Sequence, residues 1–368
     1  MIIYWDVTKT GFTKIKSGIN RVSRCLQDAV VNELPKNSIV PVVWNHRKGD
    51  FETVDKPRRS VGRADELTVF ITVEVFSEEE RPGFLGWLKN FHGMRCIVFH
   101  DAIPLQYPEF TWPHSVSRHP HYMKMLLSFD NVYAVSDYSL NIVRGYLYWL
   151  DASMMPGCHR VYLGANFNDS ARKQAGLENR SRELVMTGIV EPRKNQSLLL
   201  DAVKILSKES LDFQVRFIGR VNPNFGKPIV KRMKEMKKAG YPIDYEYAVS
   251  DERMKQIYDE ALFSVFPSLT EGCGLPVLES LWAGLPVVAS DIPSVVENGS
   301  KGIRFFENND AESLAKVLKE LLSSENELRK FYNETDEQIL LSWKESGSLF
   351  VESLKANMQK ADYSASSI

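Results

Sequence analysis

Residues 261–297, ALFSVFPSLTEGCGLPVLESLWAGLPVVASDIPSVVE, constrain the fold more than any other stretch of the chain. The apolar run 261–266 reads as a buried strand. It gives way to a polar Ser-Leu-Thr-Glu loop and then to the glycine-flanked turn Gly272-Cys273-Gly274. Pro276 opens a helical pattern that carries Glu279 one turn in, and a second apolar run, 285–289, follows Gly284. Short, uniformly apolar strands joined through a helix are the mark of a parallel sheet covered on both faces. The polar residues of this stretch fall just past a strand or at the start of a helix, the edge of an open α/β sheet where ligands sit.

The same alternation runs through the rest of the chain. In the first half the pattern predicts strands at 1–6, 39–44, 68–75, 94–99, 131–135 and 161–163, with residues 45–66 a charged loop. In the second half it predicts strands at 184–190, 213–219, 245–249 and 302–306. An amphipathic helix follows at 311–322, and further helices around 328–343 and at 345–358. A chain of 368 residues exceeds one ordinary core. The polar, Asn-rich run 164–180 places the boundary, giving domains 1–175 and 176–342 and a terminal helix, 343–368.

Composition removes several classes of function. Lys and Arg total 46 against 47 Asp and Glu, a net charge of -1, so nothing pulls the whole chain toward nucleic acid. The basic run 227–240 reads as a solvated helix face. Cys25, Cys96, Cys158 and Cys273 lack metal-ligand spacing and fit reduced, cytoplasmic thiols. His119-Pro120-His121 lacks the Cys or carboxylate that would complete a metal site, so no metal is expected. The opening MIIYWDVT has no basic region before a long apolar core, and no window reaches 18 apolar residues. Residues 84–91 mix Phe, Leu and Trp with basic flanks. The reading favoured is a helix packed on its own sheet; the other is an amphipathic segment on a membrane surface.

Several residues carry chemistry by position. Gly18 sits where a strand-loop-helix unit would bring backbone N–H groups to an anion. His100 and Asp101 follow the apolar run 94–99 at its carboxyl end. In the second half, the N–H groups of Cys273, Gly274 and Leu275 open a helix, and Pro276 fits its first turn because its missing N–H would be unpaired there anyway. Arg193 and Lys194 lie between a strand and a helix and supply cations. Together these make a diphosphate site able to stabilise a leaving group as well as bind it. Glu271 lies in the loop, while Glu279, inside the helix, suits a vicinal diol such as a ribose. No Gly-x-Gly-x-x-Gly follows a strand, and there is no Walker A sequence and no Gly-x-Ser-x-Gly elbow.

Taken in order, Glu191-Pro192-Arg193-Lys194-Asn195, Val249-Ser250-Asp251-Glu252, Glu271-Gly272-Cys273-Gly274-Leu275-Pro276 through Glu279, and Ser290-Asp291-Ile292-Pro293 with Glu297 resemble the retaining GT-B glycosyltransferases of family 4. Ser17-Gly18-Ile19-Asn20-Arg21, His100-Asp101 and Ser136-Asp137-Tyr138-Ser139 extend the resemblance into the first half more weakly.

The resemblance implies an α/β GT-B fold, two Rossmann-like domains facing across a cleft, with the last helix crossing back to the first domain. It implies that Glu271 contacts the donor sugar, Glu279 the ribose, and Arg193 and Lys194 the diphosphate. Val249 would line the base pocket, Gly18 would approach the phosphates, and His100 with Asp101 would stand by the transferred sugar and the acceptor. No cofactor or divalent metal is implied. The partners implied are a nucleotide-diphosphate sugar, with GDP-mannose the leading donor, and a saccharide or undecaprenyl-diphosphate-linked acceptor at the inner face of the membrane. Ile189 stands where many relatives carry Arg, and Cys273 where Phe is common. A sugar-nucleotide epimerase or hydrolase, or an inactive nucleotide-sugar-binding protein, would use the same cradle.

Overall fold

The computed structural model describes residues 1–13, 17–61, 67–152, 154–167 and 170–365, with side chains as far as residue 360. The chain divides into two compact units. One holds Met1–Gly164 with Leu341–Ile368, and the other Ala165–Leu340.

In the first unit, β1 (Ile2–Asp6), β2 (Ile39–Asn45), β3 (Asp50–Thr53), β4 (Thr68–Thr72), β5 (Met94–Phe99), β6 (Asn131–Ala134) and β7 (Gly157–Arg160) form one sheet in the order β3-β2-β1-β4-β5-β6-β7. All neighbours pair in parallel except β2 with β3. The apolar strands are covered on both sides, and Val42, Phe70, Ile97, Phe99 and Val132 share one core with Phe84, Leu88, Met123 and Val143 from helices. The helix Gly18–Glu33 packs against the terminal helix Trp343–Ala365, where Gly347 meets Ala29 too closely for any side chain between them.

The second unit contains β8 (Glu183–Thr187), β9 (Gln214–Ile218), β10 (Ile243–Glu246), β11 (Phe263–Phe266), β12 (Val287–Ser290) and β13 (Ile303–Phe306), all parallel, in the order β10-β9-β8-β11-β12-β13. Chain order reverses at β8, where β9 lies on one side and β11 on the other. The loops leaving β8 and β11 therefore open a crevice at the carboxyl edge. The first unit has the equivalent point between β1 and β4. Each unit is a Rossmann-like α/β domain.

Two local differences from the sequence reading have physical causes. The charged loop 45–66 contains β3, which turns back along β2 with Gly49 at φ +61 and drops Phe51 into the core. The last strand of the first unit is β7 at Gly157–Arg160 rather than 161–163, an edge strand whose mixed sequence lacks an apolar period. As the favoured reading has it, the segment 84–91 holds a helix, Phe84–Lys89, and buries Phe84, Leu88 and Phe91 in the core of its own unit. Pro120 lies within the helix Pro113–Met125. The basic helix Gly226–Lys238 is a solvated face, with Arg232 and Lys237 paired to Asp201 and Asp244.

Among the described residues no helix is long and apolar enough to cross a membrane.

Candidate functional site

The crevice of the second unit is built by two short loops. After β8 the chain passes through Gly188 at φ +135 into a 3-10 turn, Pro192–Lys194, that ends at Asn195 in the left-handed region. That turn sets Arg193 and Lys194 at the mouth of the next helix, Gln196–Leu206. After β11, the loop runs through Ser268 and Glu271 to Gly274 at φ +80, which starts the helix Leu275–Trp282. A Cβ at Gly274 would stand 2.9 Å from Val295 Cγ2, so both conformation and space require glycine. Its N-cap, Gly274, brings no side chain to cap it, and the amino end of the helix points its dipole at the loop.

Charges from the two loops meet here. Lys194 Nζ lies 2.5 Å from Glu271 Oε1, and Arg193 Nη1 lies 2.8 Å from Glu271 Oε2. Arg193 also donates to the Thr270 carbonyl at 3.1 Å and reaches Glu191 Oε1 through Nε at 3.1 Å and Nη2 at 2.9 Å. The second oxygen of Glu191 accepts from Asn222 Nδ2 at 2.9 Å. Lys194 stands 5.2 Å from the centre of the Phe266 ring. Burial alone would push the Glu271 carboxyl up, but Arg193 and Lys194 outweigh it and hold it down to about 2. Burial lowers the Lys194 ammonium, and the charge of Arg193 adds to that against the pull of Glu271. Glu279 is buried on the helix. Val249, half-buried past β10, packs against the small apolar cluster that includes Ile218, Ile257 and Tyr258. The structure thus gathers Arg193, Lys194, Glu271, Cys273, Gly274, Leu275 and Glu279 along one sheet edge.

Gly18, His100 and Asp101 belong to the first unit. Gly18 is the exposed first residue of its helix; a Cβ there would meet nothing within 4 Å, so the fold does not require glycine at that point. His100 is buried at the end of β5, its Nε2 2.9 Å from the Val73 carbonyl and its own carbonyl accepting from Ser139 Oγ. A carbonyl can only accept, so Nε2 carries the proton and Nδ1 is the acceptor. Burial lowers the ring's pKa despite the nearby Asp101, which keeps it neutral. The Asp101 carboxylate accepts from Ile103 N at 3.0 Å and holds the following turn.

The reversal point of the first unit is filled by its own side chains. Asp6 ends β1 and Glu74 follows β4. Arg81 lies between them, with Nη1 2.5 Å from Asp6 Oδ2 and Nη2 bonded to Glu74 Oε2. The N–H groups of Lys9 and Thr10, in the loop after β1, donate to Glu74 Oε1 at 2.6 and 2.7 Å. Two successive N–H groups aimed at one oxygen are the arrangement that binds a phosphate in this position. Here a carboxylate occupies it, and all three ionic side chains are no more than 1% exposed.

Sequence reasoning missed this triad because its members are far apart in the chain and no local pattern links them; it took Arg81 for a basic flank. It also gave no role to Glu191 or Asn222. The glutamate two positions before Arg193 was a signal available for the first, and nothing marked the second. Among the described residues no three His, Cys, Asp or Glu side chains converge as a metal site would need.

Comparison with known proteins adds family evidence. The profile described as "Glycosyl transferases group 1" matches residues 167–338. The chain is 22% identical over 382 residues to the serotype-specific mannosyltransferase WbdA of Escherichia coli, covering 95% of this chain and 46% of that protein. It therefore spans less than half the length of that relative. It is 31% identical over 175 residues to the MMP alpha-(1->4)-mannosyltransferase of Mycolicibacterium hassiacum, covering 47% of this chain and 41% of the other. Its fold is similar to sucrose-phosphate synthase from Thermosynechococcus elongatus, with TM-score 0.68, 16% identity, and 98% and 100% of the two chains covered. It is equally similar to Anabaena HepE, solved with UDP and glucose, with TM-score 0.68, 12% identity, and 97% and 100% covered.

Proposed function

We propose that the chain, whose residues 167–338 match the group 1 glycosyl transferases and whose fold is GT-B, transfers a sugar from a nucleoside-diphosphate donor to a saccharide or lipid-linked saccharide. The observation that carries the proposal is the meeting of Arg193 and Lys194 with Glu271, in the loop that leads into the helix Leu275–Trp282, at the reversal point of the second sheet. In the first unit the corresponding place is filled by Glu74 and Arg81, which supports the second unit as the donor-binding one.

Each residue has a task in this reading. Arg193 and Lys194 bind the diphosphate. As the bond to the sugar breaks, negative charge grows on the departing phosphate oxygen, and the two cations with the helix amides stabilise it. Glu271 accepts from sugar hydroxyls, Glu279 from the ribose, and Val249 borders the base. The resemblance assigns His100 to the transferred sugar and the acceptor. Its neutral ring, with Nδ1 as acceptor, suits a hydroxyl group. Mannose from GDP is the favoured donor, since WbdA and the Mycolicibacterium relative are both named mannosyltransferases.

Calorimetry with GDP, UDP, dTDP and their sugar conjugates tests the reading. GDP and GDP-mannose are expected to bind, with affinity lost in Lys194→Ala and Glu279→Ala. Absence of binding by all of them at millimolar concentration overturns it.

A further inference from the structure

The charged cluster of the second unit is closed on itself. Both oxygens of Glu271 are engaged by the two cations assigned to the diphosphate, Lys194 on Oε1 and Arg193 on Oε2. With Glu191 also on Arg193, the formal charges of the four side chains cancel. Glu271 and Lys194 are 8% exposed, so water does little to weaken their attraction. A diphosphate that takes Arg193 and Lys194 competes with a carboxylate already in place. Keeping both anions side by side in a buried site would add like-charge repulsion.

We propose that Glu271 is an internal competitor for the donor's diphosphate, and so the residue that makes the site prefer an intact sugar nucleotide to the spent nucleoside diphosphate. This rests on the donor reading above. A free diphosphate displaces Glu271 from its cations and gives it nothing in return, leaving a buried carboxylate short of donors. An intact donor brings sugar hydroxyls attached to the same diphosphate. A carboxylate is an acceptor only, and hydroxyls are the groups that can satisfy it once Lys194 and Arg193 turn to phosphate. When the sugar has left for the acceptor, those hydroxyls go with it. Glu271 then returns to Lys194 and Arg193 and loosens the nucleoside diphosphate. One side chain thus favours donor entry and product exit.

The experiment measures calorimetric affinities of GDP, GDP-mannose, UDP and UDP-glucose for the wild type, Glu271→Gln and Glu271→Asp. For whichever nucleotide the wild type takes, Glu271→Gln is expected to bind the free diphosphate at least tenfold more tightly and the conjugate more weakly, reversing the preference. Glu271→Asp keeps the charge on a shorter arm that cannot serve both cations, so its affinity for the free diphosphate falls between the two. If circular dichroism shows Glu271→Gln unfolded, the aspartate variant decides. Free-diphosphate affinity equal to or below the wild-type value in the folded variants overturns the inference while leaving the donor reading standing. A wild type that binds none of the four ligands overturns both.

Discussion

The carbonyl oxygen of Gly188 lies 1.7 Å from the point that a Cβ on Gly219 would occupy. The carboxyl ends of β8 and β9 therefore approach as closely as two bare backbones can, and this narrows one side of the crevice from which Arg193 and Lys194 project. Gly219 also has φ +155, a conformation that side-chain-bearing residues avoid. Gly219→Ala must separate the strands or twist the loop. It is expected to cost about 3 kcal/mol of stability, the sum of overpacking and backbone strain. Urea denaturation checks the loss, and calorimetry on the folded fraction should show weaker nucleotide binding, because Lys194 is displaced with its loop.

Lys194 and Glu271 make a second stability prediction. Removing one partner of a buried pair costs more than the pair contributes, because the other charge is left with fewer partners. Lys194→Ala is expected to lose roughly 3 kcal/mol. Lys194→Met with Glu271→Leu removes the pair together and should recover most of that stability while abolishing transfer. A double change as unstable as the single one, measured by urea denaturation, would show that the pair itself holds the loops.

Much of this was legible in the sequence for a physical reason. Strands buried on both faces must be apolar throughout, so β5, β8, β9, β11, β12 and β13 showed themselves as short apolar runs at nearly their observed places. Arg193, Lys194 and Glu271 in the loops, and Glu279 early in a helix, stood out because each interrupts that pattern at a strand end or near a helix start. The edge strands β3 and β7 are half-solvated and need no apolar run, so they were missed or shifted. Contacts between distant segments leave no local pattern at all. Arg81 is the clearest case: a basic residue beside Phe84 and Trp87 looks like a surface flank until the fold brings Asp6 and Glu74 to it.

That triad predicts a pH dependence. Burial raises the Glu74 carboxyl, the charge of Asp6 raises it further, and Arg81 with the N–H groups of Thr10 and Lys9 opposes them, leaving it at about 7. The folded protein therefore holds a proton on Glu74 that the unfolded chain gives up near its ordinary value of 4.5. Between about 4.5 and 7 the native state binds more protons, so this group's contribution to stability falls as pH rises, by roughly 3 kcal/mol over the window. Buried His100 and His119 and half-buried His159 have lowered pKa values and slope the other way, favouring the fold as pH rises through the histidine range. The Glu74 part is read by difference. Glu74→Gln should be less destabilised at pH 7.5 than at pH 5 relative to the wild type, and equal losses at the two values would show that Glu74 is ionised throughout.

Trp87 and Phe91 separate packing from membrane contact. Phe91 is 7% exposed, and Trp87 packs against Phe51 at 4.7 Å and Phe70 at 5.0 Å between ring centres, with its Nε1 donating to Asp50 at 2.7 Å. Changing either to serine removes aromatic area from the core and leaves a void that neighbours fill only in part. Phe91→Ser is expected to cost about 3–5 kcal/mol, the range for truncating a buried aromatic, and Trp87→Ser, at a half-buried position, less. Liposome binding by the folded fraction should match the wild type. Had these rings served a bilayer, the outcome would be the opposite: stability almost unchanged and liposome binding lost, because exposed rings contribute little to a fold but much to an interface. Thermal denaturation and liposome co-sedimentation on the same two variants distinguish the cases.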